Sequence, residues 1–88
     1  MENFIEKNED SLKCDLSGKS LTSLHHVDHM SLATSLNLAD NCLSTVQGLS
    51  LLPCLVTLNL DNNEINSCQC MENLMSLEEL SLKNNCIL

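Results

Sequence analysis

The sequence predicts an α/β solenoid of short parallel strands joined by 3₁₀ or short helical return limbs. Three observations carry that prediction. First, Asn41, Asn63 and Asn85 are evenly spaced, 22 positions apart, and Lys19 fills the same slot one period earlier. Second, each Asn closes one phrase: Ala33-x-x-Leu36-x-Leu38-x-x-Asn41-x-Leu43, Leu55-x-x-Leu58-x-Leu60-x-x-Asn63-x-Ile65 and Leu77-x-x-Leu80-x-Leu82-x-x-Asn85-x-Ile87. Third, apolar residues continue past each phrase in steps of three: Leu21/Leu24/Val27/Met30, Leu43/Val46/Leu49/Leu52 and Ile65/Cys68/Met71/Leu74.

A fixed period of this length is the signature of a leucine-rich repeat, in which one supersecondary unit recurs and stacks. The repeats divide as 11–32, 33–54, 55–76 and a partial 77–88. The first copy is weaker, with Cys14, Leu16, Lys19 and Leu21 in the matching places. Within a phrase the fourth and sixth positions are two apart, so on a strand they share a face. Leu36/Leu38, Leu58/Leu60 and Leu80/Leu82, with Cys14/Leu16 in the weaker first copy, therefore point inward from four parallel strands coiled as a right-handed solenoid, with the strands on its concave side. The three-residue steps that follow suit a 3₁₀ or short α-helical limb.

The Asn slot falls where the chain leaves the strand and turns inward, which strands backbone groups away from water. A carboxamide both donates and accepts hydrogen bonds, so stacked Asn41, Asn63 and Asn85 can satisfy those groups coil after coil. Lys19 cannot accept one, and the first repeat reads as a degenerate end repeat with that slot near solvent. Residues 1–10 read as a cap, a short helix or turn with Phe4 as a plug, or as a frayed terminus. The last repeat stops at Cys86-Ile87-Leu88 without a return limb. A solenoid needs a polar end cap, so the expectation is a fragment, a truncated isoform or a piece that docks on something.

Composition narrows the function. The net charge is -8, and the basic residues Lys7, Lys13, Lys19 and Lys83 are scattered. Nucleic-acid binding needs clustered cations that displace phosphate counterions, and anionic membranes make the same demand. No apolar run approaches the ~18 residues of a spanning helix. The acidic start Met1-Glu2-Asn3-Phe4-Ile5-Glu6 lacks a basic, then apolar, leader. The expectation is a cytoplasmic chain with no nucleic-acid or membrane partner.

Cys14 and Cys68 fall in apolar slots and read as small core residues. Cys42 and Cys86 share a turn position two repeats apart, too far for a disulfide, whose Cα atoms lie within ~7 Å. His25, His26, Asp28 and His29 sit on the first return limb, and Cys68 and Cys70 on the third, two coils away. A zinc site needs four ligands converging at ~2.0–2.3 Å, so these read as a solvated polar edge; a metal- or redox-responsive protein is the alternative of another class. With only Gly18 and Gly48, no glycine-rich phosphate cradle can form. An open face also offers no pocket to perturb a carboxylate. No catalytic, cofactor or metal residue is assigned.

The outward strand positions form the candidate interaction face: Asp15, Ser35, Asn37, Thr57, Asn59, Asp61, Glu79, Ser81 and Lys83. Lys13, Ser17 and Ala39 share its slots, and Asp40, Asn62 and Asn84 border it. The face is polar and mildly acidic. It lacks the Trp, Tyr and Arg that dominate interface hot spots, so the solvated strand face stands beside a partner surface as a reading.

Eight apolar slots per repeat resemble the intracellular class typified by a protein phosphatase 1 regulatory subunit. A second resemblance is carried by Gly18-Lys19-Ser20-Leu21-Thr22-Ser23-Leu24-His25-His26-Val27, by Leu36-Asn37-Leu38-Ala39-Asp40-Asn41-Cys42-Leu43, and by Leu77-Glu78-Glu79-Leu80-Ser81-Leu82-Lys83-Asn84-Asn85. Together with Cys54-Leu55, these resemble the C-terminal leucine-rich repeat region of the Rab geranylgeranyl transferase alpha-subunit family. That resemblance implies an accessory module of an alpha/beta enzyme that prenylates Rab GTPases. Catalysis in that family belongs to a helical alpha body and a zinc-bearing beta subunit, so no catalytic residue carries over. The expectations are a noncatalytic protein-interaction module of that subunit, or an independent intracellular adaptor of the phosphatase-regulator or ciliary type.

Overall fold

A computed structural model describes residues 5–7, 12–24, 31–67 and 74–86. Within them, five strands form one sheet in chain order: β1 (Ile5–Lys7), β2 (Leu12–Asp15), β3 (Ser35–Asn37), β4 (Thr57–Asn59) and β5 (Glu79–Ser81). Strands β2 to β5 are parallel, and β1 pairs antiparallel with β2. The chain is a leucine-rich repeat solenoid. Ile5–Lys7 thus extend the sheet as a strand, not a helix or turn; Phe4 lies outside the described residues.

The repeat period sets the register. Cys14, Leu36, Leu58 and Leu80 align as one inward row. The next inward row is Leu16, Leu38, Leu60 and Leu82. Leu38, Leu43, Leu49, Leu52, Leu55, Leu60 and Ile65 are fully buried, and Val46 nearly so. Each such aliphatic side chain contributes about 1.5–3 kcal/mol of burial free energy. The second return limb contains a 3₁₀ turn at Leu49–Leu51. It is preceded by Gly48 at φ +105, where a Cβ would lie 3.1 Å from the Leu24 carbonyl oxygen, so only glycine fits. The positions expected to form the first and third limbs, 25–30 and 68–73, lie outside the described residues.

Strands β2 to β5 end after three or four residues because the chain reverses through a left-handed residue. Gly18, Asp40, Asn62 and Asn84 adopt φ of 65, 60, 59 and 59°. Gly, Asn and Asp are the types that enter this region at least cost. Beyond the turn, backbone bonds between coils resume: the Cys42 amide donates to Leu21 O at 2.8 Å, Glu64 to Leu43 O at 2.8 Å and Cys86 to Ile65 O at 2.9 Å.

The Asn side chains bridge the break. Asn63 Oδ1 accepts the Leu43 amide at 3.0 Å. Its Nδ2 reaches Leu38 O at 2.9 Å, Leu60 O at 3.1 Å and Asp61 O at 3.2 Å. Asn41 accepts the Lys19 and Leu21 amides at 3.0 and 2.9 Å and donates to Leu16 O, Leu38 O and Ala39 O. Asn85 accepts the Ile65 amide at 3.0 Å and donates to Leu60 O, Leu82 O and Lys83 O. Lys19, in the first of these slots, is exposed.

Candidate functional site

Strand alternation lays the polar positions in three rows across the concave face. Lys13, Ser35, Thr57 and Glu79 are in register as the first row, and Asp15, Asn37, Asn59 and Ser81 as the second. Ser17, Ala39, Asp61 and Lys83 follow as the third. Neighbouring members of a row lie one strand spacing apart, ~4.8 Å. Ser35, Asn37, Thr57, Asn59, Glu79 and Ser81 line a shallow open groove of about 390 Å³, floored by Leu36, Leu58 and Leu80.

The second row shapes the backbone. Asp15 Oδ1 accepts the Ser17 amide at 3.0 Å and its hydroxyl at 2.7 Å. Asn37 Oδ1 accepts the Ala39 amide at 3.0 Å, and Asn59 Oδ1 the Asp61 amide at 2.9 Å. These are Asx turns, in which a side-chain oxygen caps the amide two residues on. Ser81, in the fourth place, instead donates its hydroxyl back to Asp61 Oδ1. The Lys83 amide, which a residue-81 Asx would cap, is capped by the same Asp61 oxygen at 2.8 Å. Asp61 thus does for the fourth coil what Asn59 does for the third.

Those contacts set the acidity of the face. The Ser81 hydroxyl, then the Lys83 amide and, more weakly, the Lys83 charge hold the Asp61 carboxyl below its ordinary range, against slight desolvation. The Ser17 amide, then its hydroxyl, do the same for Asp15, helped by the Lys19 charge. Both are carboxylates at neutral pH, held as acceptors and not poised to move a proton.

The first row has a lighter structural role. Thr57 donates its hydroxyl to Ser35 Oγ at 2.8 Å, and Glu79 is exposed. Ala39 occupies an outward slot yet is buried, so the face dips at its centre. This row is therefore the most available to a ligand, with Lys13 and Glu79 exposed and Ser35 and Thr57 half-buried. Among the described residues no group of three His, Cys, Asp or Glu could hold a metal, and no helix is long and apolar enough to cross a membrane. His25, His26, Asp28, His29, Cys68 and Cys70 lie outside the described residues.

Sequence reasoning did not assign two features. One is the left-handed row Gly18, Asp40, Asn62 and Asn84. The other is the exposed relay built on it: Asn84 Nδ2 donates to Asn62 Oδ1 at 2.7 Å, and Asn62 Nδ2 to Asp40 Oδ1 at 2.7 Å. The signal was present, since all four residues are types that tolerate positive φ and recur at the repeat period.

No protein-family model matches the chain, and no curated protein sequence does. Among solved structures, it is similar to internalin C2 from Listeria monocytogenes, at 27% identity and a TM-score of 0.73 over 76% of this chain. The match spans 30% of that protein's length.

Proposed function

We propose that the chain is a noncatalytic protein-interaction module whose concave β-face is the contact surface. The observation that carries this is the registered face: rows of hydroxyl, carboxamide and carboxylate groups at strand spacing around one groove. Solenoids present such extended concave surfaces to partners. The face is polar and open, and its described residues include no nucleophile–base pair, which suits recognition and not chemistry. The similarity to an internalin repeat structure is consistent with this reading.

In its finer form, the module belongs to the cytoplasmic Rab geranylgeranyl transferase alpha subunit. That form rests on the Gly18–Val27 stretch and the Lys in the first Asn slot. The independent adaptor is its competitor.

The test separates binding from folding by avoiding the turn-making residues. A photo-crosslinker at Thr57 captures a protein from cytosol, whereas the same group at exposed Glu64 does not. Ser35→Arg, with the crosslinker kept at Thr57, abolishes the capture with an unchanged circular dichroism spectrum. Equal labelling from both positions refutes a concave contact surface. For the finer reading, purified prenyltransferase beta subunit is presented to the chain, with the full-length alpha chain as control. Retention by the control alone refutes it.

A further inference from the structure

Among the described residues, strand β5 is an open edge of the sheet, and residues 79–83, which run from it into the following turn, are self-complementary when read in reverse. Glu79 and Lys83 stand two residues either side of Ser81, and Leu80 and Leu82 one residue either side. Glu79 and Lys83 are exposed on the concave face. Leu80 occupies the inward row with Leu58, yet it is 43% exposed where Leu58 is 3% exposed. Leu82 is only partly buried against the core.

The backbone is phased to match. The Glu79 amide donates to Val56 O at 3.0 Å, and Ser81 O and Lys83 O accept the Leu60 and Asn62 amides at 2.8 Å. Residues 79, 81 and 83 therefore face β4, and strand alternation turns the backbone groups of Leu80 and Leu82 to the open side, where Leu82 O already accepts Asn85 Nδ2 at 3.1 Å and keeps its second lone pair. Unpaired edges of this kind template strand addition.

We propose that a second copy of this chain pairs antiparallel along β5, with a two-fold axis through Ser81. In that register Leu80 exchanges both backbone bonds with the partner's Leu82, and Leu82 with the partner's Leu80. Glu79 then stands opposite the partner's Lys83, and Lys83 opposite the partner's Glu79. Both charge pairs fall at the non-hydrogen-bonded positions, where side chains approach closest. The axis runs perpendicular to the sheet, so the leucines of both copies meet on the core side and the two concave faces become continuous. A slip of one residue would turn the leucines to the wrong face. A slip of two would set Glu79 or Lys83 opposite Ser81 and leave the charges unmatched. The contact is isologous and closes at two copies.

Sedimentation of the 88-residue chain from micromolar to near-millimolar concentration tests this. The expected result is a reversible species of twice the 9.7 kDa chain, with nothing larger. Glu79→Lys and Lys83→Glu each set like charges opposite one another twice and weaken dimerisation by about tenfold or more. An equimolar mixture of the two variants restores it. One variant then carries lysine at both positions and the other glutamate at both, so every facing pair is of opposite charge. That rescue also shows that both variants fold. Three outcomes overturn the proposal: a monomer throughout the range, open-ended oligomers from β5 joining β1, or a mixture no tighter than the single variants.

Discussion

Replacing Asn63 with Ala removes four hydrogen bonds at one buried site, but the four losses are unequal. Leu38 O also accepts from Asn41 Nδ2, and Leu60 O from Asn85 Nδ2. Asp61 O retains the Asp40 amide at 2.9 Å. The three carbonyls therefore each keep a partner. The Leu43 amide has Asn63 Oδ1 at 3.0 Å and no second bond to replace it among the described residues, and Leu43 is fully buried. One orphaned buried donor costs about 1–3 kcal/mol. With a urea m-value of about 1 kcal/mol/M for a chain this small, the midpoint falls by roughly 1–3 M. The assay is urea denaturation followed by far-ultraviolet circular dichroism, with exposed Glu64→Gln as control, expected within about 0.5 kcal/mol of wild type. An Asn63→Ala midpoint indistinguishable from the control at unchanged m would refute the reasoning: the Leu43 amide would then have to find water, and the slot would not be sealed.

Other outcomes follow from the same geometry. Asn62→Val forces a β-branched residue to φ 59° and lowers stability by about 1–2 kcal/mol, whereas Asn62→Gly stays within a few tenths; thermal melts of both report the contrast. Asp61 has a folded-state pKa below its unfolded value. Its ionised form therefore adds stability above the unfolded pKa of about 3.9 that is lost as pH falls through the folded value. Urea midpoints at neutral and acid pH should show wild type losing more than Asp61→Asn, whose Oδ1 still accepts; equal losses sink the assignment. Burial, then the neighbouring Asp15 charge, pushes the Cys14 thiol up, while Cys42 and Cys86 are exposed. Thiolate is the reactive form, so iodoacetamide should label Cys42 and Cys86 quickly and Cys14 only after unfolding, as read by peptide mass mapping.

The period made the strands, the inward rows and the Asn slots legible before any coordinates. An alternation of two can satisfy only a strand, and a recurring carboxamide accepts from amides while its NH₂ donates to more than one carbonyl. The candidate face was legible as a set of positions but not as a set of roles. Asp15, Asn37 and Asn59 look like ligand-facing groups in the sequence, yet each spends its Oδ1 on an amide two residues ahead. An Asx turn and a free carboxamide have the same sequence; only the backbone path after the strand distinguishes them.

What the sequence determined by itself is the coil: its length, its inner and outer faces, and the residues that recur in each slot. Those depend on local periodicity and on the chemistry of single side chains. What the tertiary structure decided is everything that depends on the neighbouring coil. Asp61 caps Lys83 because Ser81 turns its hydroxyl back across the strand gap. Leu58 and Leu80 hold the same slot, but one has a coil on each side and the other lies on the sheet edge, so one is sealed and the other exposed. Burial and hydrogen-bond satisfaction are properties of the stack, and no single repeat contains them.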